Sequence, residues 1–205
     1  WSPTMGLPTD PEVQETVTLA AKALKDAGLD VEQTEIPAML ENDASFISST
    51  TYIPEGKQVL VPIVKGRESD LTHLLRSRYV NSPPQELDHY LEANRQWDAL
   101  KKGVAEWFTR YHLFLCPTVP MTAYPHEQTA FTIDDQELPS RHALRATMPW
   151  NLTGSPAMSV PFGMSSDGLP IGVQIVGRYF DELTILRVAK VLEDHIGGYR
   201  RPPVG

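Results

Sequence analysis

Cysteine is nearly absent from this chain: Cys116 is the only one in 205 residues. A single thiol excludes an intrachain disulfide framework and the Cys-rich zinc patterns, and it fits a reducing compartment, so the cytoplasm is the expected location. Long apolar runs are missing too. No stretch approaches the roughly 20 apolar residues of a membrane-spanning helix, and residues 1–30 lack the basic start and apolar centre of a signal peptide. Positive charge is scarce, with 18 Lys and Arg against 26 Asp and Glu and a formal net charge of -8. That balance argues against a surface that neutralises nucleic-acid phosphates or an anionic membrane, so neither partner is expected. The six histidines, at 73, 89, 112, 126, 142 and 195, form no H-x-x-x-H, and no C-x-x-C exists. No local metal motif is present, and neither a metal nor a cofactor is expected.

With 41% hydrophobic and 21% charged residues, the chain holds enough apolar material for one sizeable core or part of a larger one. Asp10 and Pro11 form a helix start, Val13, Val17, Ala20, Ala21 and Leu24 recur at helical spacing, and Gly28 supplies the stop. DVEQTEIP then reads as an edge strand carrying Val31 and Ile36 and ended by Pro37. A helix followed closely by a strand favours an α/β arrangement. AMLENDASFISSTTYI reads as helical at its start, VLVPIVKG as a short extended run, and DLTHLLRSRY as a helix. After Pro83 and Pro84 comes the longest helical pattern, with a stripe from Leu87 and Leu91 through Trp97, Leu100, Val104, Trp107 and Phe108 to Tyr111. LFLC, residues 113–116, reads as a strand buried on both faces, and the proline-rich CPTVPMTAYPHEQ as a loop at its carboxyl end, where α/β sheets bind ligands. Residues 127–140 read as exposed loop and SRHALRATMPW as a short helix. PAMSVPF and PIGVQIVG are two strands joined by the turn SSDG, with Gly168 at a positive φ. After Asp181 a last helix is expected to bury Leu183, Leu186, Ala189 and Ile196, and Gly197 and Gly198 end it.

The serines in NLTGSPAMSVPFG invite a search for a nucleophile. Ser155 is followed by Pro156, which removes the backbone N–H that a nucleophile-elbow serine uses in its oxyanion hole, and the stretch is not G-x-S-x-G. Ser159 lies within a strand with no base beside it in sequence, and both serines read as structural. Cys116 with His112 suggests a thiol dyad, set against a cysteine that ends an apolar run. Ser48 with Lys65 suggests a serine-lysine site, set against serines without the glycine-rich flank that converges backbone amides on an oxyanion.

The ordered runs Asn151-Leu152-Thr153-Gly154-Ser155-Pro156-Ala157-Met158-Ser159-Val160-Pro161 and Gly168-Leu169-Pro170-Ile171-Gly172-Val173-Gln174-Ile175-Val176-Gly177-Arg178, followed by a helix, resemble the carboxyl-terminal section of the amidase signature family. LFLCPTVPMTA resembles that family's preceding strand and loop, and WSPTMGLPTDPEV its mid-chain strand-to-helix passage. Residues 38–80 carry the least of the resemblance. It implies an α/β fold in which residues 1–205 are the carboxyl-terminal part of a single amidase domain, a mixed β-sheet flanked by helices. Family members hydrolyse amides through a serine nucleophile, a second serine in a cis peptide and a lysine. The resemblance puts all three before the segment that matches Trp1 to Val13, so no catalytic residue is assigned to this chain. Trp1 is not an initiator methionine, and an earlier start of the polypeptide is expected.

By the same resemblance, Thr118, Thr147, Trp150 and Asn151 lie where family members place residues facing the acyl part of the substrate. Asn151 is open to a second reading as a brace of the turn, and Trp150 to one as plain core. Gln174 reads as a structural hydrogen-bond partner. The expected partners are an amide substrate, the missing amino-terminal half and, because strands without their neighbours leave open edges, further copies of the chain in a homo-oligomer. The alternative function is a non-catalytic binding or assembly module that keeps the amidase frame.

Overall fold

The computed structural model describes residues 1–34, 44–126 and 128–198. A three-stranded antiparallel sheet organises the chain: β1 (Leu113–Pro117), β5 (Pro170–Gly177) and β4 (Ala157–Met164) lie in the order β1-β5-β4. Leu115 pairs with Ile175 on one side, and Met158 pairs with Ile175 on the other. Successive side chains of a strand point to opposite faces, so β1 and β5 each feed two cores. Leu115, Val173, Ile175 and Val160 meet helices α1 (Pro11–Asp26) and α6 (Glu182–His195). Phe114, Cys116 and Val176 meet α2 (Ala44–Val64), α4 (Leu87–Trp107) and α5 (Met148–Thr153) on the other face. Helices on both sides of a sheet are the expected α/β frame.

Several expected elements form as read. In α1, Asp10 accepts from the Glu12 N–H, Pro11 opens the helix, and Val13, Val17, Ala20, Ala21 and Leu24 are buried. LFLC becomes β1. PAMSVPF and PIGVQIVG become β4 and β5, closed by a turn in which Gly168 has φ 76° and donates to the Ser165 carbonyl at 2.9 Å. Arg178, just past β5, donates from Nε to the carbonyls of Phe108 at 2.8 Å and Tyr111 at 3.1 Å, pinning the passage from α4 into β1.

Other expectations are corrected. VLVPIV is not extended: it forms the last two turns of α2, despite Pro54 and Pro62 inside the helix. The weak β preference of its valines and isoleucine does not prevent the helix, and the contacts to other segments come from the turns before it. The Tyr52 and Trp97 rings meet edge to face with centroids 5.5 Å apart, Tyr90 Oη donates to Glu55 at 2.8 Å, and Lys57 Nζ donates to the Ser82 carbonyl at 2.6 Å. The DLTHLLRSRY segment is broken into a 3-10 turn, the short α3 (His73–Leu75) and a π-turn at Arg76–Val80. Residues 128–140 are not plain loop. They hold a hairpin of β2 (Ala130–Ile133) and β3 (Gln136–Pro139), with Asp134 and Asp135 both at positive φ. A two-residue Asp-Asp turn between alternating side chains is the chemistry of a tight hairpin, and Phe131 and Ile133 bury themselves against Met121 and Ala143.

In α6 the expected buried stripe is only partly right. Ile185, Val188, Ala189 and Leu192 face the sheet, while Leu183 and Leu186 are 57% and 54% exposed. The helix carries two apolar stripes, and contact with β4 and β5 selects one of them. The upper part of the α4 stripe is likewise bare, with Leu87 and Leu91 exposed. Val31 to Thr34 form no regular strand, although Thr34 N–H donates to the Trp1 carbonyl at 3.0 Å and Ser2 N–H to Leu115 at 3.0 Å. Ile36 and Pro37, and the start of the AMLENDASF segment, lie outside the described residues.

Candidate functional site

Beside β5 the second helical layer stops. The core formed with α2, α4 and α5 draws on β1 and β5 but contains no residue of β4, and Ala157, Ser159 and Pro161 are exposed. The result is a bare strip of sheet, with the loop after β1 at one border.

Gln174 organises the border of this strip. Its side chain is buried, and Nε2 donates to the carbonyls of Ala146 at 3.1 Å and Pro117 at 3.4 Å, with Cys116 Sγ also 3.4 Å away. Those two carbonyls immediately precede Thr147 and Thr118. One buried amide therefore fixes two residues that stand 29 positions apart in the chain, and a buried amide with its hydrogen bonds made is a rigid spacer. Gln174 is structural, as read from the sequence.

Of the expected site residues, Thr118 is half-buried and pairs through Oγ1 with Ser159 Oγ at 2.9 Å. Thr147 is half-buried and donates to the Leu144 carbonyl at 3.1 Å as α5 begins. Asn151 is exposed one turn further along α5, with no hydrogen bond to its side chain among the described residues. Trp150 is buried in the core against Phe114, ring centroids 5.9 Å apart, and its Nε1–H has no acceptor among the described residues. The hydroxyl partner of Ser159 is 41 residues away, and no local signal in the sequence announces the pair.

The competing chemistries lose their geometry. Cys116 is buried, and desolvation pushes its thiol up to about 12, against weaker lowering by the Gln174 hydrogen bond. His112 precedes the far end of the same strand, roughly 13 Å away at ~3.3 Å per residue, and is exposed. Ser48 lies near the start of α2 and the exposed Lys65 just past its end, roughly 26 Å apart at ~1.5 Å per residue. Ser155 is buried in a hydroxyl cluster, 3.0 Å from Thr153 Oγ1. Burial holds the nearby Tyr179 phenol above its usual range, opposed by hydrogen bonds with Ser155 and Thr153. No group of three or more His, Cys, Asp or Glu among the described residues could hold a metal ion.

An antiparallel hairpin paired to a buried β1, with helices on both faces of the sheet, defines an α/β fold. The family model described as Amidase matches residues 2–186, and the chain belongs to the amidase signature family. It is 33% identical over 224 residues to a glutamyl-tRNA(Gln) amidotransferase subunit of Brevibacillus brevis, covering 95% of this chain and 43% of that protein. A fatty acid amide hydrolase of Medicago truncatula is 40% identical over 100 residues, which is 48% of this chain and 16% of that one. Among solved structures, 6-aminohexanoate cyclic dimer hydrolase complexed with substrate superposes with a TM-score of 0.76 at 27% identity, over 95% of this chain and 44% of that one. A structure described as an amidase shares the fold with a TM-score of 0.82 at 20% identity, over 92% and 43%. The chain thus spans less than half the length of these relatives. No helix among the described residues is long and apolar enough to cross a membrane.

Proposed function

We propose that residues 1–205 are the carboxyl-terminal part of a single amidase domain, completing an enzyme that hydrolyses a carboxylic amide at its C–N bond. In this reading a serine on the amino-terminal portion of the same protein attacks the amide carbonyl, ammonia or an amine departs, and water then hydrolyses the acyl-enzyme. A lysine held neutral by burial relays the proton through a second serine. This chain contributes recognition of the substrate. Thr118, Thr147, Trp150 and Asn151 are the residues assigned to face the acyl part of the substrate.

The observation that carries the reading is the strip itself. A strand with an open edge, bare on one face and flanked by polar side chains braced through Gln174, is an unfinished surface that suits a covering segment and a ligand between. Relatives more than twice as long support the same reading. Self-association through the open β4 edge is the expected behaviour when the covering segment is left out.

Labelling with a serine-directed fluorophosphonate tests this reading. In the complete protein, mass spectrometry should find the label on a serine outside residues 1–205. Residues 1–205 alone should neither label nor hydrolyse amides, and coexpression with the amino-terminal portion should restore both. Labelling of Ser48, Ser155 or Ser159, or hydrolysis by this chain alone, would sink the proposal. A folded complete protein that takes no label would instead favour a binding or assembly module on the amidase frame.

A further inference from the structure

The loop after β1 and the middle of β4 meet over a glycine. Thr118 Oγ1 and Ser159 Oγ lie 2.9 Å apart, and Gly172 of β5 lies beneath them. A Cβ at Gly172 would come within 2.8 Å of Ser159 Oγ and 3.4 Å of Thr118 Oγ1. A side chain there would force the hydroxyls to move. The pair is not core: Ser159 is exposed and Thr118 half-buried. Ser159 sits opposite Gln174 in the β4–β5 register, and the Gln174 amide is committed to the Ala146 and Pro117 carbonyls. The two hydroxyls therefore stand together at solvent, on the strip where the proposed function puts substrate.

Hydroxyl chemistry narrows what such a pair binds. Each hydroxyl offers one donor and two acceptor lone pairs. One O–H is used within the pair, which leaves one donor beside several acceptors. A group that both accepts and donates matches this set, as a carboxamide does through its C=O and N–H. A carboxylate offers acceptors only and would sit against unmatched lone pairs.

We propose that Thr118 and Ser159 form a hydroxyl subsite for an uncharged carboxamide carried on the acyl portion of the substrate. The free O–H donates to the carboxamide oxygen, and the carboxamide N–H donates to the neighbouring hydroxyl. This rests on the amidase reading above and adds a substrate class to it: amides whose acyl chain carries a second, uncleaved carboxamide.

The test uses the complete protein and protection against fluorophosphonate labelling, so it needs no turnover. A linear diamide is compared with the monoamide of the same length that ends in a methyl group. In the unmodified protein the diamide should halve labelling at a concentration about ten-fold lower than the monoamide, the scale of a well-made hydrogen-bonding contact. Ser159→Ala and Thr118→Val should each bring the two compounds to near equality, and Thr118→Ser, which keeps a hydroxyl, should preserve the difference. The inference is overturned if the unmodified protein shows no diamide advantage, if Ser159→Ala and Thr118→Val retain it, or if they weaken both compounds alike. If Ser159→Ala does not fold, Thr118→Val on the loop decides. Complete absence of labelling removes the amidase reading and this inference with it, whereas labelling without a diamide advantage removes only the inference.

Discussion

β4 and β5 are neighbours in one hairpin, yet they live in different surroundings. β5 is buried from Val173 to Gly177, with helices above and below it, whereas along β4 only Val160 is buried. Both strands have apolar residues and the same antiparallel pairing, so strand chemistry does not separate them. Position does: β5 has a strand on each side, and β4 has one. The lesson is that a motif's buried and exposed members are assigned by what the rest of the molecule places beside them. The bare member is the one with a strand on one side only.

The comparison breaks most severely at the centre of β5. Ile175, 1% exposed, should cost about 2–5 kcal/mol when replaced by Ala, while Met158→Ala directly across from it on β4 should change stability by no more than about 0.5 kcal/mol. Urea unfolding of the complete protein reads both. Equal losses would mean that β4 is as enclosed as β5.

The next effect is alkaline. Burial raises the Cys116 thiol from 9.0 to about 12, so the folded chain keeps a proton that the unfolded chain gives up. A group whose pKa is raised on folding stabilises fully below its unfolded value, and that stability drains as pH climbs toward its folded value. Unfolding free energy should hold below about pH 9 and then fall toward pH 12, and Cys116→Ala should flatten that decline. A decline that is unchanged by the substitution would show that the thiol is not the cause.

Smaller losses are expected where the two strands join. Gln174→Leu should cost about 1–3 kcal/mol by leaving the Pro117 and Ala146 carbonyls unpaired. Gly172→Ala should cost about 1–3 kcal/mol by crowding the Thr118–Ser159 pair. If Gly172→Ala proves neutral, the hydroxyls have room to part. The smallest effect is at the edge itself: Ala157→Lys on β4 should leave the melting temperature of residues 1–205 nearly unchanged while lowering their self-association in sedimentation velocity, since a charge blunts an open strand edge.

Much of the frame was legible. The cap at Asp10, the five buried positions of α1, the two-faced strand LFLC and the SSDG hairpin each carry their cause within a few residues. The α2 helix was harder to read because VLVPIV is β-branched and interrupted by proline, and the contacts that tie α2 to the rest of the chain, from Tyr52, Glu55 and Lys57, are made by distant partners. The α6 error has a similar origin. Leu183 and Leu186 satisfy helical periodicity as well as Ile185, Val188 and Leu192 do, and nothing local says which stripe meets the sheet. At the site, Gln174 could be read as a brace, but the Thr118–Ser159 contact had no signal at short range.

What the sequence by itself determined is therefore the set of locally caused elements, the family they belong to, and the exclusion of a disulfide framework and of a local metal motif. Those follow from interactions spanning a few residues: caps, turns, periodicity and the ordered motifs. Only the tertiary structure decided which stripe of α6 is buried, that α2 continues through VLVPIV, and that Thr118 meets Ser159 beside a bare strip of β4. Each of those depends on two segments far apart in the chain sharing one place, and burial is a property of that shared place rather than of either segment alone.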